Sequence, residues 1–209
     1  MITKKAIKDS SFAIYGLGLS GNSVFKFLKK KNIKKIYTWD DEKNKKKLNL
    51  FKKRLNEVDY IVISPGINIQ KTKFKSSLFR NKKKIITDID LFYMQKIPTK
   101  SIVITGTNGK STVCKLVQHI FKTNKFNTQL GGNIGKPILD LKIKRKSIVI
   151  IEASSFQLSY TKFIKPTFAA ILNIGNDHLD WHNTITNYKN SKFKLFSKQD
   201  GKDIALLRN

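Results

Sequence analysis

The chain has 209 residues, 40% of them hydrophobic, enough for one large or two modest cores, which excludes disorder as its overall state. Its formal net charge of +28 suggests a nucleic-acid binder, but arginine occurs only at positions 54, 80, 145 and 208; base readout favours arginine forks, so the excess reads as the lysine-rich composition of an A+T-rich genome and no specific nucleic-acid partner is expected. One cysteine, Cys114, excludes an internal disulfide and no apolar run approaches a membrane span, so the chain reads as cytoplasmic, with no membrane partner.

Residues 11–17 read as a buried strand running into GLGLSG at 16–21, a match to G-x-G-x-x-G, with a helix-like run of Val24, Phe25, Phe27 and Leu28 behind it. A second strand, 35–39, ends at Asp40 and Asp41, near the spacing at which dinucleotide folds place a ribose-binding carboxylate. The start is Rossmann-like. Its direct reading is an NAD site; glycines that merely let a helix pack close to a strand are an equal alternative. Residues 43–57 read as a helix with Leu48, Phe51 and Leu55 on one face and lysines on the other. A strand at 59–63 enters the turn Ser64-Pro65-Gly66, and a short strand at 85–87 precedes a helix that Asp88 would cap and that runs through Tyr93. Pro98 marks the expected domain boundary, giving units of 1–97 and 98–209.

A strand at 101–105 then runs into GTNGKST at 106–112 and a helix from 111 to about 122. Glycines, a lysine and a hydroxyl at a helix N-terminus suit a nucleoside triphosphate: backbone N–H groups converge on the anion, Lys110 reaches the outer phosphates and Ser111 can ligate Mg²⁺. The pattern is not a strict P-loop, since Ile104 stands where that pattern has glycine. Cys114 inside this helix reads as a small core residue, and His119 as structural. GGNIGKP at 131–137 reads as a glycine-rich turn, and the apolar strand 147–151 ends in Glu152, placed like an acid that holds Mg²⁺ or its water; a helix-capping role is the alternative. After a strand at 168–174 comes NDHLDWH at 176–182. His178 and His182 could share a helical face, but a zincin needs Glu where Leu179 stands; a hard-metal or phosphate role suits His178, and His182 reads as an exposed neighbour. A helix at 187–197 carries Tyr188, Lys192 and Leu195 on a similar face, and a last strand is expected at 203–207.

Taken in order, GLGLSG, SPGI at 64–67, GTNGKST, GGNIG at 131–135, EASSFQL at 152–158 and NDHLDWH resemble the Mur-type ATP-dependent amide ligases of peptidoglycan synthesis, and the wording of SSFQL and GGNIG is similar to the D-glutamate-adding members. The resemblance covers essentially the whole chain. It implies an α/β fold with a Rossmann-like N-terminal UDP-sugar domain followed by a truncated P-loop-type ATP-binding domain. It redirects the first glycine loop from NAD to a UDP-sugar, with Leu19 and Ser20 at the diphosphate and Asp40 and Asp41 near the uridine; such ligases more often carry a hydroxyl where Asp41 stands. Gly66, Asn133, Ser154, Gln157 and His178 would line the path of the muramoyl-alanine arm. ATP would lie on Gly106, Thr107, Asn108, Gly109, Lys110, Ser111 and Thr112. Two Mg²⁺ would be held by Ser111, Glu152, His178 and a carbamylated Lys192, and Lys110, Glu152, His178 and Lys192 would form the catalytic set. The implied partners are UDP-N-acetylmuramoyl-L-alanine, D-glutamate and ATP, the full-length protein being a monomer. Another ligase of the same kind with a different incoming amino acid, or a non-catalytic UDP-sugar or nucleic-acid binding remnant, are the alternatives. The resemblance further implies that the second half of the ATP domain and a C-terminal domain are absent from these residues. The fragment alone is then expected to be inactive, with a sheet edge and apolar faces uncovered.

Overall fold

The computed structural model describes residues 7–43 and 47–207. Two parallel sheets follow one another along the chain. The first has the order β2-β1-β3-β4 and is built from β1 (Phe12–Tyr15), β2 (Ile36–Trp39), β3 (Tyr60–Ile63) and β4 (Ile85–Ile86). Its helices are α1 (Leu19–Lys30), α2 (Leu48–Glu57), α3 (Lys75–Arg80) and α4 (Asp88–Met94). β1 and β3 are buried on both faces, as expected when helices cover both sides of a parallel sheet. Alternate residues separate the two layers. Ala13, Tyr15, Ile61 and Ile63 pack with Phe51, Leu55 and Leu78 of α2 and α3, whereas Phe12, Ile14, Tyr60 and Val62 pack with Val24 and Leu28 of α1 and Leu91 of α4. The expected start of the second helix falls partly on 44–46, outside the described residues; the helix begins at Leu48.

The second sheet has the order β6-β7-β5-β8-β9, all parallel: β5 (Lys100–Thr105), β6 (Thr128–Gly132), β7 (Ile148–Glu152), β8 (Phe168–Ile171) and β9 (Ile204–Leu207). Its helices are α5 (Lys110–Thr123), α6 (Ser155–Tyr160), α7 (Leu179–His182) and α8 (Ile185–Phe193). Val103, Val149, Ile151, Ala169 and Ile171 form one side of its core, and Ile104, Ile148 and Ile150 pack with Cys114 of α5 on the other. Two readings of the sequence need correction. The glycines at 131 and 132 close an edge strand rather than lying wholly in a turn, because β6 pairs with β7 through Gly132 opposite Glu152. The cap of α4 is Thr87 and not Asp88, for Thr87 and Asp90 form a reciprocal capping box.

α4 belongs to both cores. Leu91 faces the first sheet, while Ile89 and Phe92 pack into the second. At the far edge, Ile204, Leu206 and Leu207 of β9 are exposed, as are Leu116 and Ile120 on α5, matching the expected uncovered edge and apolar face.

The first core is dense in aromatic rings. Phe74 is 1% exposed, and its ring lies 5.3 Å from each of Tyr15, Trp39 and Phe51. Phe74→Ala is expected to destabilise the first sheet by about 3–5 kcal/mol, read as a lower urea midpoint by tryptophan fluorescence.

Candidate functional site

The first glycine loop is shaped by close packing. A methyl group on Gly21 would sit 1.8 Å from the Gly16 carbonyl oxygen, so only glycine lets α1 start this near β1. Asp40, beyond β2, accepts from the Leu17 N–H at 2.7 Å, and that bond holds its carboxyl below the usual range. Asp41 accepts from Tyr15 Oη at 2.6 Å, Trp39 Nε1 at 2.9 Å and Lys73 Nζ at 3.0 Å. Both carboxylates therefore brace the loop and the first core. Ser64 donates to the Gly16 carbonyl at 2.8 Å, which ties the SPG turn to the same loop and leaves Gly66 exposed beside it. Leu19 and Ser20 open α1, with Leu19 82% exposed.

In the second sheet the loop 106–109 joins β5 to α5. Gly109 caps α5 at φ +80°, a conformation that favours glycine. Asn173, just beyond β8, accepts from the N–H groups of Thr107 and Asn108 at 3.0 and 2.9 Å, and its amide donates back to the Asn108 carbonyl at 3.1 Å. Tyr188 Oη meets Thr107 Oγ1 at 2.9 Å. The loop is thus held from outside, while the first N–H groups of α5, from Lys110 to Thr112, have no acceptor inside the helix and can bind an anion.

Two ammonium groups converge on one carbonyl oxygen. Lys110 Nζ donates to Gly106 O at 3.0 Å and to Thr107 O at 2.8 Å, and Lys192 Nζ donates to Gly106 O at 2.8 Å. Lys192 is 1% exposed and lies over the Tyr188 ring. Burial first, and then the neighbouring Lys110, pulls its pKa down to about 8. Across the loop Glu152, 2% exposed, is oriented by Ser111 Oγ at 2.6 Å on one oxygen and Asn133 Nδ2 at 2.8 Å on the other. A cavity of about 100 Å³ gathers Gly106, Lys110, Asn133, Ser154, His178 and Lys192 on its walls. A second one of about 910 Å³ lies against Tyr93, Ser101, Phe163 and Thr167, by the amino ends of β5 and β8, and touches none of these residues.

The remaining residues are placed less directly. Gln157 is 1% exposed and its side chain closes a capping box with Ser154 at the start of α6, so it supports Ser154 from behind instead of facing the cavity. His178 caps α7 with a left-handed backbone, φ 51°, and its ring lies 4.6 Å from Phe156. His182 is not the exposed neighbour that the sequence suggests: it is 4% exposed, bonds Ser155 Oγ through Nε2 at 3.0 Å and stacks on Phe156. Burial, aided by His178 and Lys192, lowers its pKa to about 4. His119, read as structural, is exposed on α5, whereas Cys114 is fully buried, with its thiol pushed up to about 12. Asn173 and Phe156 went unnoticed in the sequence; an asparagine directly after an apolar strand was the available signal for the first.

A divalent cation would meet hard oxygen donors from Ser111 and Glu152, which suits Mg²⁺. Lys192 fits such a site only as a carbamate, because its ammonium form repels a cation. Among the described residues no group of three or more His, Cys, Asp or Glu is gathered for a metal, and no helix is long and apolar enough to cross a membrane.

The family description "Mur ligase middle domain" matches residues 104–209. Over 201 residues the chain is 36% identical to the UDP-N-acetylmuramoylalanine–D-glutamate ligase of Aquifex aeolicus, covering 95% of this chain and 46% of that protein. Over 215 residues it is 36% identical to the Rickettsia prowazekii ligase of the same name, covering 97% and 47%. The chain thus spans about half the length of these curated relatives. Among solved structures, the UDP-N-acetylmuramate:L-alanyl-gamma-D-glutamyl-meso-diaminopimelate ligase from Neisseria meningitides superposes with a TM-score of 0.56 at 12% identity, over 96% of this chain and 71% of that one. A murein peptide ligase from Psychrobacter arcticus gives a TM-score of 0.50 at 12% identity, over 96% and 49%. These two bear on fold alone, and they share the α/β architecture.

His182 yields a test. Its folded pKa lies below that of a free imidazole, so between pH 6.5 and about 4 the unfolded chain binds a proton that the folded chain refuses. Stability is expected to fall as pH drops through that window, by no more than about 3 kcal/mol, and His182→Phe is expected to flatten this part of the pH–stability curve.

Proposed function

Because the chain belongs to the Mur ligase family, we propose that it supplies the UDP-sugar and ATP sites of a cytoplasmic enzyme that adds D-glutamate to UDP-N-acetylmuramoyl-L-alanine. The observation that carries this reading is the orientation of Glu152 by Ser111 and Asn133 beside a loop whose Gly106 carbonyl receives both Lys110 and Lys192. A phosphate-binding loop faces an ordered carboxylate, with two cations at its base. The names of the relatives, at 36% identity, support D-glutamate as the incoming amino acid.

In this reading residues 1–97 hold the UDP-sugar and residues 98–209 hold ATP. Leu19 and Ser20 lie where the open N-terminus of α1 receives the diphosphate, and the exposed turn at Gly66 starts the path to the second sheet. Asn133, Ser154 and His178 line its far end. The terminal carboxylate of the substrate attacks the γ-phosphate of ATP and ADP leaves; the amine of D-glutamate then attacks the acyl-phosphate carbonyl, forming the amide and releasing phosphate and the amine proton. Lys110, now folded back on the carbonyls of Gly106 and Thr107, swings out to the outer phosphates and offsets their charge as it moves. Mg²⁺, held by Ser111 and Glu152 and with His178 and carbamylated Lys192 at a second position, would supply further charge stabilisation.

Two outcomes test the reading. Isothermal titration is expected to show the 209-residue chain binding UDP-N-acetylmuramoyl-L-alanine, with no phosphate release when ATP and D-glutamate are added. The complete polypeptide made in the source cells is expected to release phosphate only with both substrates, and Lys110→Ala in it to lower kcat on the order of 100-fold or more. Phosphate release independent of D-glutamate would contradict the assignment.

Lys192 has its own test. CO₂ reacts with an uncharged amine, and a pKa near 8 leaves a substantial neutral fraction at pH 8, where a free lysine is almost wholly protonated. With ¹³C-bicarbonate at pH 8 one carbamate resonance is expected, strengthened by Mg²⁺ and missing from Lys192→Arg.

A further inference from the structure

Asp90 is 0% exposed and sits in the first turn of the helix shared by the two cores. Its Oδ2 accepts from Thr87 N at 2.9 Å and completes the cap of α4. Its Oδ1 accepts from three donors on the loop that follows α6 in the second half of the chain: Thr161 Oγ1 at 2.6 Å, Lys162 N at 2.8 Å and Phe163 N at 2.7 Å. The Lys162 ammonium turns the other way and donates to the carbonyls of Lys82 and Lys83 at 2.6 and 2.9 Å, so one residue grips the first half twice. The neighbouring first-turn residue Asp88 is 2% exposed, and burial lifts its carboxyl to about 6, with Gln157 of the α6 capping box among its partners. Asp90 thus closes the N-terminus of α4 while holding the loop that leaves the C-terminal end of α6.

Further polar links between the halves, which include Ile69 N to Tyr160 Oη at 3.1 Å and Asn183 Nδ2 to Gln70 Oε1 at 3.2 Å, are partly buried or exposed. Ser23 Oγ donates to Asp140 at 2.7 Å, Asn68 Nδ2 to the Trp181 carbonyl at 2.9 Å and Lys71 Nζ to the Asp180 carbonyl at 2.7 Å. Among the described residues Asp90 is a fully buried carboxyl group with three cross-links between the halves, and leaving any of these buried donors unpaired would carry its full desolvation cost.

We infer that Asp90 is a positioning residue, a buried pivot that fixes the first glycine loop and the SPG turn relative to the phosphate loop. A substrate that must reach from one loop to the other is served only if that spacing is held, since small misplacements of reacting groups lower rates steeply. The meaning for catalysis rests on the proposed reaction; the pivot itself does not.

The test separates the two. Spin labels on Lys34→Cys and Lys189→Cys, both exposed, report the distance between the halves by electron–electron double resonance, and buried Cys114 stays unlabelled. Asp90→Asn is expected to broaden the distance distribution while circular dichroism holds. Thr161→Val, which leaves the α4 cap intact, is expected to broaden it less. Affinity for UDP-N-acetylmuramoyl-L-alanine is expected to drop roughly tenfold in Asp90→Asn, and ATP affinity to stay unchanged. A narrow, unshifted distribution in folded Asp90→Asn would overturn the pivot. If that variant does not fold, an unshifted distribution in Thr161→Val overturns it, and a broadened one supports it. Broadened distances with unaltered substrate affinity would overturn the positioning role. A wild-type chain that binds no substrate would refute the proposed function and leave the distances to decide the pivot.

Discussion

Strand polarity is the constraint on which everything else in this chain depends. Every pairing in both sheets is parallel, so all strands of a sheet end on one side and their loops collect there. The first glycine loop, Asp40 and the SPG turn leave β1, β2 and β3 at that end. The phosphate loop, Glu152 and Asn173 leave β5, β7 and β8 in the same way. Residues 65 apart in sequence, such as Asn108 and Asn173, become hydrogen-bond partners because β5 and β8 run side by side in the same direction. Parallel pairing requires crossovers, and the crossover helices supply the positive N-termini beside which anions can rest.

The electrostatics of the second loop follow from that crowding. The Gly106 carbonyl receives two lysines, one from the helix that begins at the loop and one from α8, far along the chain. Burial first, and then the like charge of Lys110, lower the Lys192 pKa to about 8. Glu152 is oriented by a hydroxyl and an amide, neutral donors that fix its direction without cancelling its charge. The region therefore combines an anion-binding loop and a hard carboxylate 41 residues further along the chain, joined through the Ser111–Glu152 hydrogen bond, a combination suited to a metal-bound polyphosphate. The overall charge of +28 contributes a diffuse attraction for anions and no specificity.

The glycine loops, the strands feeding them and Glu152 were legible in the sequence because each depends on local chemistry: apolar runs make strands, glycines permit close approach, and a lysine after glycine marks a phosphate loop. Family membership was legible from the order of six short motifs. Failures came where tertiary contacts decide. Edge strand β6 was missed because its paired glycines carry a turn signature, and only pairing with β7 overrides it. His182 looked exposed because its partners, Ser155 and Phe156, lie 27 and 26 residues away in α6. Gln157 stood within a telling motif, yet its side chain serves a helix cap. The role of Asp90 was invisible for the same reason, since three of its donors lie 71–73 residues downstream.

That separation has a bearing on how the chain comes off the ribosome. All four strands of the first sheet lie before residue 87, so its pairings can close while the second sheet is still unmade. Asp90 then waits with one oxygen capping α4 and the other hydrated until residues 161–163 emerge. At ordinary translation speeds the delay is on the order of ten seconds, long compared with the folding of a small domain. During that interval Ile89 and Phe92 also lack the core they later enter. The nascent chain thus carries a capped α4 with Ile89 and Phe92 uncovered for that interval.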